Sequence, residues 1–400
     1  MTPVRLGVLG LGAVAQAVHL PLLARRPDLF TVTAITDIAP DVTEAMGERY
    51  GIARRFTDLG AMLDAGGFEA LMVLHRGSHT EAVRAGFARG LPVFCEKPLA
   101  YTTAEVDSLV EPDLGGPAVM VGYMKQYDPA VVEAARLLAD VDDIRFVEAS
   151  VLHPPGAAQL ALARVVGPAT PLPAEATAAG EAEDRRLWTD ALGGTTDEPM
   201  WRAYRGALVS SLAHDLSIMR SFGCRPATVD HADIWRQSSA HTVRDPGRDR
   251  RSFGEHPPSI VANGTLAGGG RYSLGWHYLS DLPAYRETVR VVHGRGTVEL
   301  VFPSPYLMHA PTELTVTTLD DAEAAYGRDA ERRITRRSTT EAFERQLEAF
   351  HDMVRNGTPP RSTLAEGRAD IHDCQRIVAA FAARTGLALG GEIGKLVSAA

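Results

Sequence analysis

The amino-acid sequence predicts a two-domain α/β protein. A chain of 400 residues is longer than one ordinary hydrophobic core holds, so we expect two or three domains. Through the first 122 residues, β-rich runs alternate with helical runs, which is typical of a doubly wound parallel sheet. After residue 227, β-rich runs follow one another across glycine-rich turns, which indicates a mostly antiparallel sheet in an α+β domain.

Composition and charge narrow the possible functions. Hydrophobic residues make up 45% and charged residues 23% of the chain, as in soluble globular proteins. The net charge of -9, with no Lys- or Arg-rich face, argues against a nucleic-acid partner. No apolar run approaches the roughly 20 residues that span a bilayer, and the chain begins directly in a strand without a secretory signal. Three widely spaced cysteines offer no zinc spacing, so we expect a cytoplasmic protein without a metal site.

The first predicted strand leads into a glycine-rich turn. Residues 4–9 predict a buried strand, Gly10-Leu11-Gly12-Ala13-Val14-Ala15 follow it, and a helical run then extends to about Arg25. This is a G-x-G-x-x-A pattern between a strand and a helix. The glycines allow a tight turn and the close approach of a pyrophosphate, while the helix N-terminus supplies amides and a positive dipole. The turn therefore predicts a dinucleotide site.

An acidic residue closes the second predicted strand, residues 30–36. Asp37 lies about 20 residues beyond the glycines, where a carboxylate hydrogen-bonds the adenosine ribose hydroxyls and repels a 2′-phosphate. We therefore expect NAD, with NADP less favoured. The alternative is that Asp37 caps the turn or helix that begins at Asp37-Ile38-Ala39-Pro40.

Further polar residues follow the later strands of this half. These predicted strands cover residues 53–57, 69–75, 91–95 and 118–122. In a doubly wound sheet, ligands bind at the carboxyl ends of the strands. Gly10, Asp37, His75 and Lys97 all come at such ends, so we expect them to share one edge of the sheet.

Lys97 is one of only three lysines in the chain, beside Lys125 and Lys395. Arginine serves elsewhere, so a retained lysine indicates a need for a compact donor whose pKa shifts on burial. Pro98 restrains the backbone of Lys97 and permits a cis peptide bond, which would aim the side chain. The alternative is a surface lysine that was kept by chance.

Taken together, these motifs resemble those of the Gfo/Idh/MocA family of nicotinamide-dependent oxidoreductases. The resemblance covers nearly the whole chain and rests on the glycine-rich turn, His79, Glu96-Lys97-Pro98, Val121-Gly122-Tyr123, His214 and two late helices at residues 341–356 and 367–385. It implies an NAD(P)-binding Rossmann domain, followed by a domain with a large, open, mostly antiparallel sheet. The exposed face of that sheet often makes subunit contacts in the family, so we expect a homodimer or homotetramer.

The resemblance also implies a set of site residues. Lys97 would hold the substrate oxygen and assist its proton transfer as one catalytic residue, with His214 as the other. The expected cofactor-binding residues are Gly10, Gly12, Ala13, Val14, Asp37, Leu74, His75, His79, Glu96 and Lys97. The expected substrate-binding residues are Lys97, Lys125, Tyr127, Ser210, His214 and Asp215. For Lys125 the alternative is a salt bridge at the domain boundary.

The helical run at residues 207–222 departs from the family pattern. The family carries Asp-x-x-x-His, often with a further Asp three residues after the His. An acid and an imidazole one turn apart share a helix face, where they can relay a proton. This chain keeps His214 but has Ser210 and Ser217 at the two acid positions. Either Ser210 or a water orients His214, or the chemistry differs from that of the family; a purely structural His214 is the remaining alternative.

The chain divides into residues 1–122, residues 123–375, and a C-terminal helix and tail at 376–400. An Ala-, Pro- and Gly-rich stretch at about 154–196 predicts a long loop or loose helical insertion, which either governs substrate specificity or is a passive surface feature. The polar run at 239–256 predicts a surface loop, and the tail after Gly390-Gly391 is expected to be short and frayed.

These observations favour an NAD-dependent oxidoreductase that moves a hydride between nicotinamide and a secondary alcohol or ketone of a sugar, cyclitol or related polyol. Histidine suits the general base because it titrates near working pH, and a charged Lys97 would stabilise a developing alkoxide. Two alternatives stay open. One is a redox-neutral enzyme that uses bound NAD for hydrolysis, elimination or epimerisation, and the other is a non-catalytic sensor that binds a dinucleotide and a partner protein.

Overall fold

The computed structural model describes residues 2–109, 118–154, 160, 163–194, 198–235, 258–279, 282–319 and 331–399. They form two compact units. The first comprises Met1–Met124, Leu160–Gly194 and Phe343–His372, and the second comprises Lys125–Gln159, Thr195–Ala342 and Asp373–Ala400. The contiguous boundaries expected from the sequence, 1–122, 123–375 and 376–400, stay a prediction. The polar run at 239–256 lies outside the described residues.

The first unit is built on a six-stranded parallel sheet. Its strands are β1 Val4–Leu9, β2 Phe30–Thr36, β3 Arg54–Phe56, β4 Ala70–Val73, β5 Val93–Cys95 and β6 Val119–Val121. They lie in the order β3-β2-β1-β4-β5-β6, and every neighbouring pair is parallel. The predicted Rossmann arrangement is therefore confirmed. The strand order reverses between β1 and β4, and such sheets bind ligands at this switch point.

The composition of this sheet follows from burial on both faces. Val4, Leu6 and Val8 of β1 and all four residues of β4 are buried, as expected for central parallel strands covered by helices on both sides. Local signals set the ends of several helices around it. Thr102 and Glu105, for example, form a reciprocal capping box at the start of one helix.

Helices form at each place where the sequence predicts them. The α-helices of the described residues cover Leu20–Arg25, Pro40–Tyr50, Leu59–Ala65, Thr80–Phe87, Thr103–Asp107, Pro129–Leu138, Ala174–Leu192, Glu198–Arg202, Ala213–Ser221, Ala342–Asn356, Leu364–Thr385 and Gly391–Ala399. Wider π-helical turns cover Ala15–His19 and Ala203–Leu212, and a 3-10 turn covers Met124–Tyr127. The predicted insertion at 154–196 thus contains a long helix, Ala174–Leu192.

The second unit is built on an eight-stranded sheet. Its strands are β7 Ile144–His153, β8 His231–Trp235, β9 Ser259–Thr265, β10 Arg271–Tyr278, β11 Arg286–His293, β12 Gly296–Phe302, β13 Thr312–Leu319 and β14 Glu331–Ser338. They lie in the order β14-β13-β12-β11-β7-β10-β9-β8. Only β7 and β10 pair in parallel among these strands, and the other neighbours are antiparallel. The predicted large, open, mostly antiparallel sheet is confirmed.

Two strands of this sheet, β13 and β14, were not predicted. The edge strand β14 reads Glu-Arg-Arg-Ile-Thr-Arg-Arg-Ser, so it lacks the alternation of apolar and polar residues that marks a half-buried strand. Charged side chains of this kind are typical of an edge, where they discourage pairing with another chain.

The prediction of a short, frayed tail was wrong. Residues Gly391–Ala399 form a helix. Ile393 within it is fully buried, and the Gln375 side chain donates a hydrogen bond of 2.6 Å to the Glu392 carboxylate. Packing and hydrogen bonding therefore hold this helix against the preceding one.

Candidate active site

The glycine-rich turn follows β1 at the switch point of the parallel sheet. Gly10 has a φ of +89° and donates its N–H to the Thr36 carbonyl at 2.9 Å. A Cβ on Gly10 would stand 2.3 Å from the His75 nitrogen, so only glycine allows this approach. At Gly12, a Cβ would have no heavy atom of the described residues within 4 Å apart from its own neighbours along the chain. The first glycine thus serves the turn, and the second leaves the space that a pyrophosphate requires.

Asp37 stands at the end of β2 and is half-buried. Its Oδ2 accepts a hydrogen bond of 2.7 Å from the Leu11 N–H, and its Oδ1 accepts one of 3.0 Å from the Ala39 N–H. The capping role that the sequence left open is therefore present. A carboxylate has about four lone-pair sites, so two remain for ribose hydroxyls while the backbone fixes the side chain beside the turn.

Two histidines follow β4 and lie against each other. The His75 and His79 rings are 4.8 Å apart in an edge-to-face arrangement, and His79 Nε2 donates to the His75 carbonyl at 2.6 Å. Burial, reinforced by His79, lowers the pKa of His75 to about 3, and burial also lowers the pKa of His79. Both rings are neutral at physiological pH. The His79 N–H also donates to the Leu99 carbonyl at 3.0 Å, which ties the Glu-Lys-Pro loop to this helix start.

Glu96 is buried directly after β5 and is held from two sides. His19 Nε2 donates to Glu96 Oε1 at 2.8 Å, and the Lys97 N–H donates to Oε2 at 3.1 Å. Burial acts to raise the pKa of Glu96, but the hydrogen bond and charge of His19 and the charge of Lys97 outweigh it and hold the pKa below its ordinary value. A Cβ at Gly122 would stand 2.9 Å from the Glu96 Cα, so this glycine makes room for the acid.

Lys97 comes two residues beyond the end of β5, on the same edge as the groups above. Its side chain is half-buried. The Lys97–Pro98 peptide bond is cis, as the resemblance implies. The first unit therefore gathers Gly10, Asp37, His75, Glu96 and Lys97 at the carboxyl ends of neighbouring strands. Leu74, buried, joins them through its N–H, which donates to the Leu9 carbonyl at 2.7 Å.

The second unit contains a buried cluster of charged and polar groups around Glu287, which lies in β11. The Lys125 ammonium and the Tyr285 hydroxyl both donate to Glu287 Oε2. Lys125 Nζ also lies 5.2 Å from the centre of the Phe302 ring, within cation–π range. An ion pair of Lys125 is thus present, with Glu287 as its partner.

Asp215 completes this cluster and is fully buried. Burial raises the pKa of Asp215 far above its ordinary value, and the negative charge of Glu287 adds to the effect, while Lys125 opposes it. Burial and then Glu287 likewise raise the pKa of the Tyr285 phenol. Burial and Glu287 therefore favour the protonated form of Asp215 and the neutral form of the Tyr285 phenol. We call Lys125, Asp215, Tyr285 and Glu287 the buried acid cluster.

His214 is the second residue of the helix Ala213–Ser221 and is buried. The two serines at the family's acid positions lie on either side of it in the sequence. Ser210 donates its hydroxyl to the Arg205 carbonyl at 2.5 Å, and Ser217 donates to the His214 carbonyl at 2.7 Å. Each serine hydroxyl therefore donates its proton to a backbone carbonyl of its own helical segment, and neither serine places a negative charge beside the imidazole.

Tyr127 is buried in the 3-10 turn that precedes the helix Pro129–Leu138. The next residue, Asp128, caps that helix by accepting the Ala130 N–H at 2.8 Å, and it accepts the Thr312 hydroxyl at 2.7 Å. Burial raises the pKa of Asp128. The turn that carries Lys125 and Tyr127 is thus fixed at its C-terminal end.

Three functional candidates were missed from the sequence. His19 ends the π-helical turn Ala15–His19, 77 residues from its partner Glu96, and no local pattern pointed to it. Glu287 could have been found, because alternation along β11 places it on the same buried face as Val289 and Val291. An acid on an apolar strand face needs a partner. Tyr285, two residues earlier, would then have followed.

The described residues contain neither a cluster of metal ligands nor a helix that could span a membrane. Among them, no group of three or more His, Cys, Asp or Glu side chains is placed to hold a metal ion. In the same residues, each helix is too short or too polar to cross a membrane.

Comparison with known proteins agrees with this geometry. Residues 4–112 match the model of the Gfo/Idh/MocA family, an oxidoreductase family with an NAD-binding Rossmann fold. The inositol 2-dehydrogenase of Pseudomonas fluorescens is 38% identical over 155 residues, which is 37% of this chain and 44% of the relative. The chain thus matches less than half the length of that curated relative.

Solved structures extend the likeness to both units. The myo-inositol 2-dehydrogenase of Lactobacillus plantarum is similar with a TM-score of 0.66 and 18% identity, covering 96% of this chain and 98% of that one. The scyllo-inositol dehydrogenase of Lactobacillus casei, solved with bound NAD(H) and scyllo-inositol, gives a TM-score of 0.63 and 16% identity, covering 95% and 97%. At these identities the likeness shows the fold alone.

The fold and the strand-end site define a dinucleotide-binding protein with a Rossmann domain and a second, sheet-rich unit. Its residues 4–112 match the model of the Gfo/Idh/MocA oxidoreductase family, which supports the resemblance stated from the sequence.

Proposed function

We propose that this protein is an NAD-dependent oxidoreductase that transfers a hydride between nicotinamide and a secondary alcohol or ketone of a sugar, cyclitol or related polyol. The observation that carries the proposal is the strand-end site of the first unit, where the glycine-rich turn, Asp37 and Lys97 share one edge of a Rossmann sheet. The name of the matched relative, inositol 2-dehydrogenase, supports a polyol or cyclitol substrate.

NAD is the proposed cofactor, in preference to NADP. The Asp37 carboxylate is fixed by the N–H groups of Leu11 and Ala39 at the end of β2. A fixed negative charge there accepts hydrogen bonds from ribose hydroxyls and repels a 2′-phosphate. The cofactor-binding set is the one expected from the sequence: Gly10, Gly12, Ala13, Val14, Asp37, Leu74, His75, His79, Glu96 and Lys97.

Lys97 and His214 are the proposed catalytic residues. When bound, the nicotinamide ring would accept or return the hydride. Lys97, as a cation, would stabilise negative charge on the substrate oxygen, and His214 would take or return the hydroxyl proton. Both roles depend on the resemblance of the motifs in which these residues stand. Lys125, Tyr127, Ser210 and Asp215 are the further proposed substrate-binding residues.

A redox-neutral reaction with a retained NAD is a second candidate. Ser210 replaces the acid of the family pattern and uses its proton on the Arg205 carbonyl, so His214 lacks a negatively charged residue at that position. A changed proton relay would suit hydrolysis, elimination or epimerisation, in which a hydride is taken and later returned. We further propose a cytoplasmic homodimer or homotetramer, which stays a prediction from cysteine usage and from the resemblance.

A spectrophotometric screen tests the proposal. Sugars, cyclitols and their keto forms are offered with NAD(H) and with NADP(H), and absorbance is read at the reduced-nicotinamide band. We expect a signal with NAD(H) and at least one polyol or its ketone. A signal with NADP(H) alone would contradict the role of Asp37. No signal with either, in protein shown to bind NADH, would favour the redox-neutral reaction or a non-catalytic sensor.

A further inference from the structure

The insertion within residues 154–196 returns to the carboxyl edge of the parallel sheet at residues 166–170. Val166 pairs with the side chain of Gln16, since its N–H donates to Gln16 Oε1 at 2.8 Å and its carbonyl accepts from Gln16 Nε2 at 2.9 Å. Gln16 is buried, and Nε2 also donates to the Leu11 carbonyl at 2.7 Å. The amide of Gln16 therefore joins the insertion to the glycine-rich turn.

The same segment has a second attachment at Asp41. Asp41 Oδ2 accepts hydrogen bonds from the N–H groups of Ala169 at 2.6 Å and Thr170 at 3.1 Å, and the Thr170 hydroxyl lies at 3.4 Å. The Thr170 and Ala169 amides lower the pKa of Asp41, with burial opposing. Asp41 lies in the first turn of the helix Pro40–Tyr50, four residues beyond Asp37.

These two attachments lie on the two helices that border the adenosine half of the crevice. Gln16 follows the glycine-rich turn by one helical turn, with its N–H donating to the Gly12 carbonyl at 3.0 Å. Asp41 lies four residues after Asp37, the acid that would bind the ribose. The segment between them is too short to loop away, because four residues span at most about 14 Å. It nevertheless leaves open the space at Gly12.

The helix of the insertion is attached to the same edge at a third place. Arg186 Nη2 lies 3.9 Å from Glu105 Oε1, and Glu105 in turn accepts the Ser78 hydroxyl at 2.6 Å in the loop after β4. Leu187 and Leu192 of the helix are buried. The insertion is therefore docked on the first unit near the loops after β1, β2 and β4, and is more than a passive surface feature.

We propose that residues 166–170 form a strap that closes the adenosine side of the dinucleotide crevice and slows release of the cofactor, with Gln16 and Asp41 as its positioning residues. The inference depends on the proposed function only in taking the crevice to bind a dinucleotide. Slow release would suit either a dehydrogenase limited by product release or an enzyme that keeps its NAD through many turnovers.

The release rate of NADH tests the strap. The full-length protein is loaded with NADH, excess NAD⁺ is added in a stopped-flow instrument, and the loss of bound NADH fluorescence is followed. Asp41→Ala removes the acceptor of the two backbone hydrogen bonds from the strap, together with that of the Val42 N–H in its own helix. Because the first two hydrogen bonds hold the strap in place, we expect release to accelerate by roughly tenfold or more. Asp41→Asn keeps an acceptor oxygen and should restore most of the slow release.

Asp58→Ala is the matched control, because Asp58 accepts the Ala61 and Met62 N–H groups at the start of another helix of the same unit, and its hydrogen bonds among the described residues stay within that helix. Its release rate should equal that of the wild type. An unchanged release rate in Asp41→Ala, with NADH bound, would overturn the strap and leave the proposed function intact. Faster association with unchanged release would identify an obstructing segment and overturn it as well. Failure of the wild-type protein to bind NADH would overturn both proposals.

Hydrogen exchange in the wild-type protein gives an independent test that needs no variant. The Ala169 and Thr170 amides donate to Asp41, and a strap that closes over the cofactor should exchange more slowly when NADH is bound. Exchange at these two amides that does not respond to NADH would overturn the inference, even if amides of the glycine-rich turn become protected.

Discussion

The two units hold their acidic groups in different ways. In the first, Asp37 and Glu96 stand at strand ends and accept hydrogen bonds from N–H groups of nearby residues, with His19 as an additional donor to Glu96. In the second, Glu287 lies on the buried face of a strand and meets Lys125, which comes from 162 residues earlier in the chain. Groups at the strand ends lie where a ligand can bind, whereas the charged groups of the buried acid cluster interact with one another.

This contrast assigns different tasks to the two sets of charges. A group at the carboxyl edge of a Rossmann sheet can act on a ligand with little effect on the core. Removing one partner of a buried ion pair strongly destabilises the folded protein, because the other charge then stays buried without a counter-charge. We therefore expect substitutions at the strand ends to change turnover more than stability, and substitutions in the buried acid cluster to lower stability in addition to any effect on substrate binding.

Replacement of Lys97 should give the largest effect. In Lys97→Ala, we expect kcat to fall by about 10²- to 10⁴-fold, the range typical of a residue that takes part in proton transfer, with little change in NADH affinity. Steady-state kinetics on the substrate found in the screen, together with NADH titration, measure the two quantities. Lys395→Ala, at an exposed lysine, is the control. Equal losses of turnover and cofactor affinity would contradict the role of Lys97.

The same contrast explains how much could be predicted from the sequence. The positions of Gly10, Asp37 and Lys97 at one edge of the sheet were predicted, because each lies in a turn that directly follows a strand. A short sequence pattern is therefore enough to place them. Glu287 and Lys125 come from distant parts of the chain, and their ion pair depends on tertiary packing. The strap was not predicted for the same reason, since Val166 meets Gln16 across 150 residues. The strands β13 and β14 and the C-terminal helix depend likewise on what they pack against.

Replacement of Lys125 should destabilise the protein most among the cluster residues. Lys125→Met removes the cation and leaves Glu287 buried without a counter-charge, at a cost of about 3–5 kcal/mol in the free energy of unfolding. Urea denaturation measures the change. Lys395→Met should stay within about 0.5 kcal/mol of the wild type, as exposed substitutions do. The double variant Lys125→Met/Glu287→Gln should recover part of the loss; strictly additive losses would show that the two charges do not interact.

Replacement of Glu96 should have a smaller effect on stability. In Glu96→Gln a single carbonyl oxygen replaces the two carboxylate oxygens that accept from His19 and from the Lys97 N–H. One donor is left unpaired, which should lower the free energy of unfolding by about 1–3 kcal/mol. Urea denaturation of both variants, Glu96→Gln and Lys125→Met, shows which one loses more free energy of unfolding. A larger loss in Glu96→Gln would break the proposed division between the units.

The last prediction concerns the dependence of stability on pH. Burial and Glu287 raise the pKa of Asp215 in the folded protein, whereas an unfolded aspartate titrates near 3.9. Between these values the folded protein holds a proton that the unfolded chain releases, so the free energy of unfolding decreases as pH rises. Asp215→Asn has no such proton to lose. Relative to the wild type, this variant should therefore gain stability with rising pH, by at most about 1.4 kcal/mol per pH unit.

Asp107 offers the matched control, because its hydrogen bond with Arg368 lowers the pKa of its carboxyl. Its contribution is present above the ordinary pKa and is lost only as pH falls below it, so Asp107→Asn should differ from the wild type by a constant amount between pH 5 and about pH 8. Urea denaturation across that range compares the variants. A constant difference for Asp215→Asn as well would mean that Asp215 is ionised in the folded protein. Lys125 would then balance two carboxylates, and the buried acid cluster would carry net negative charge.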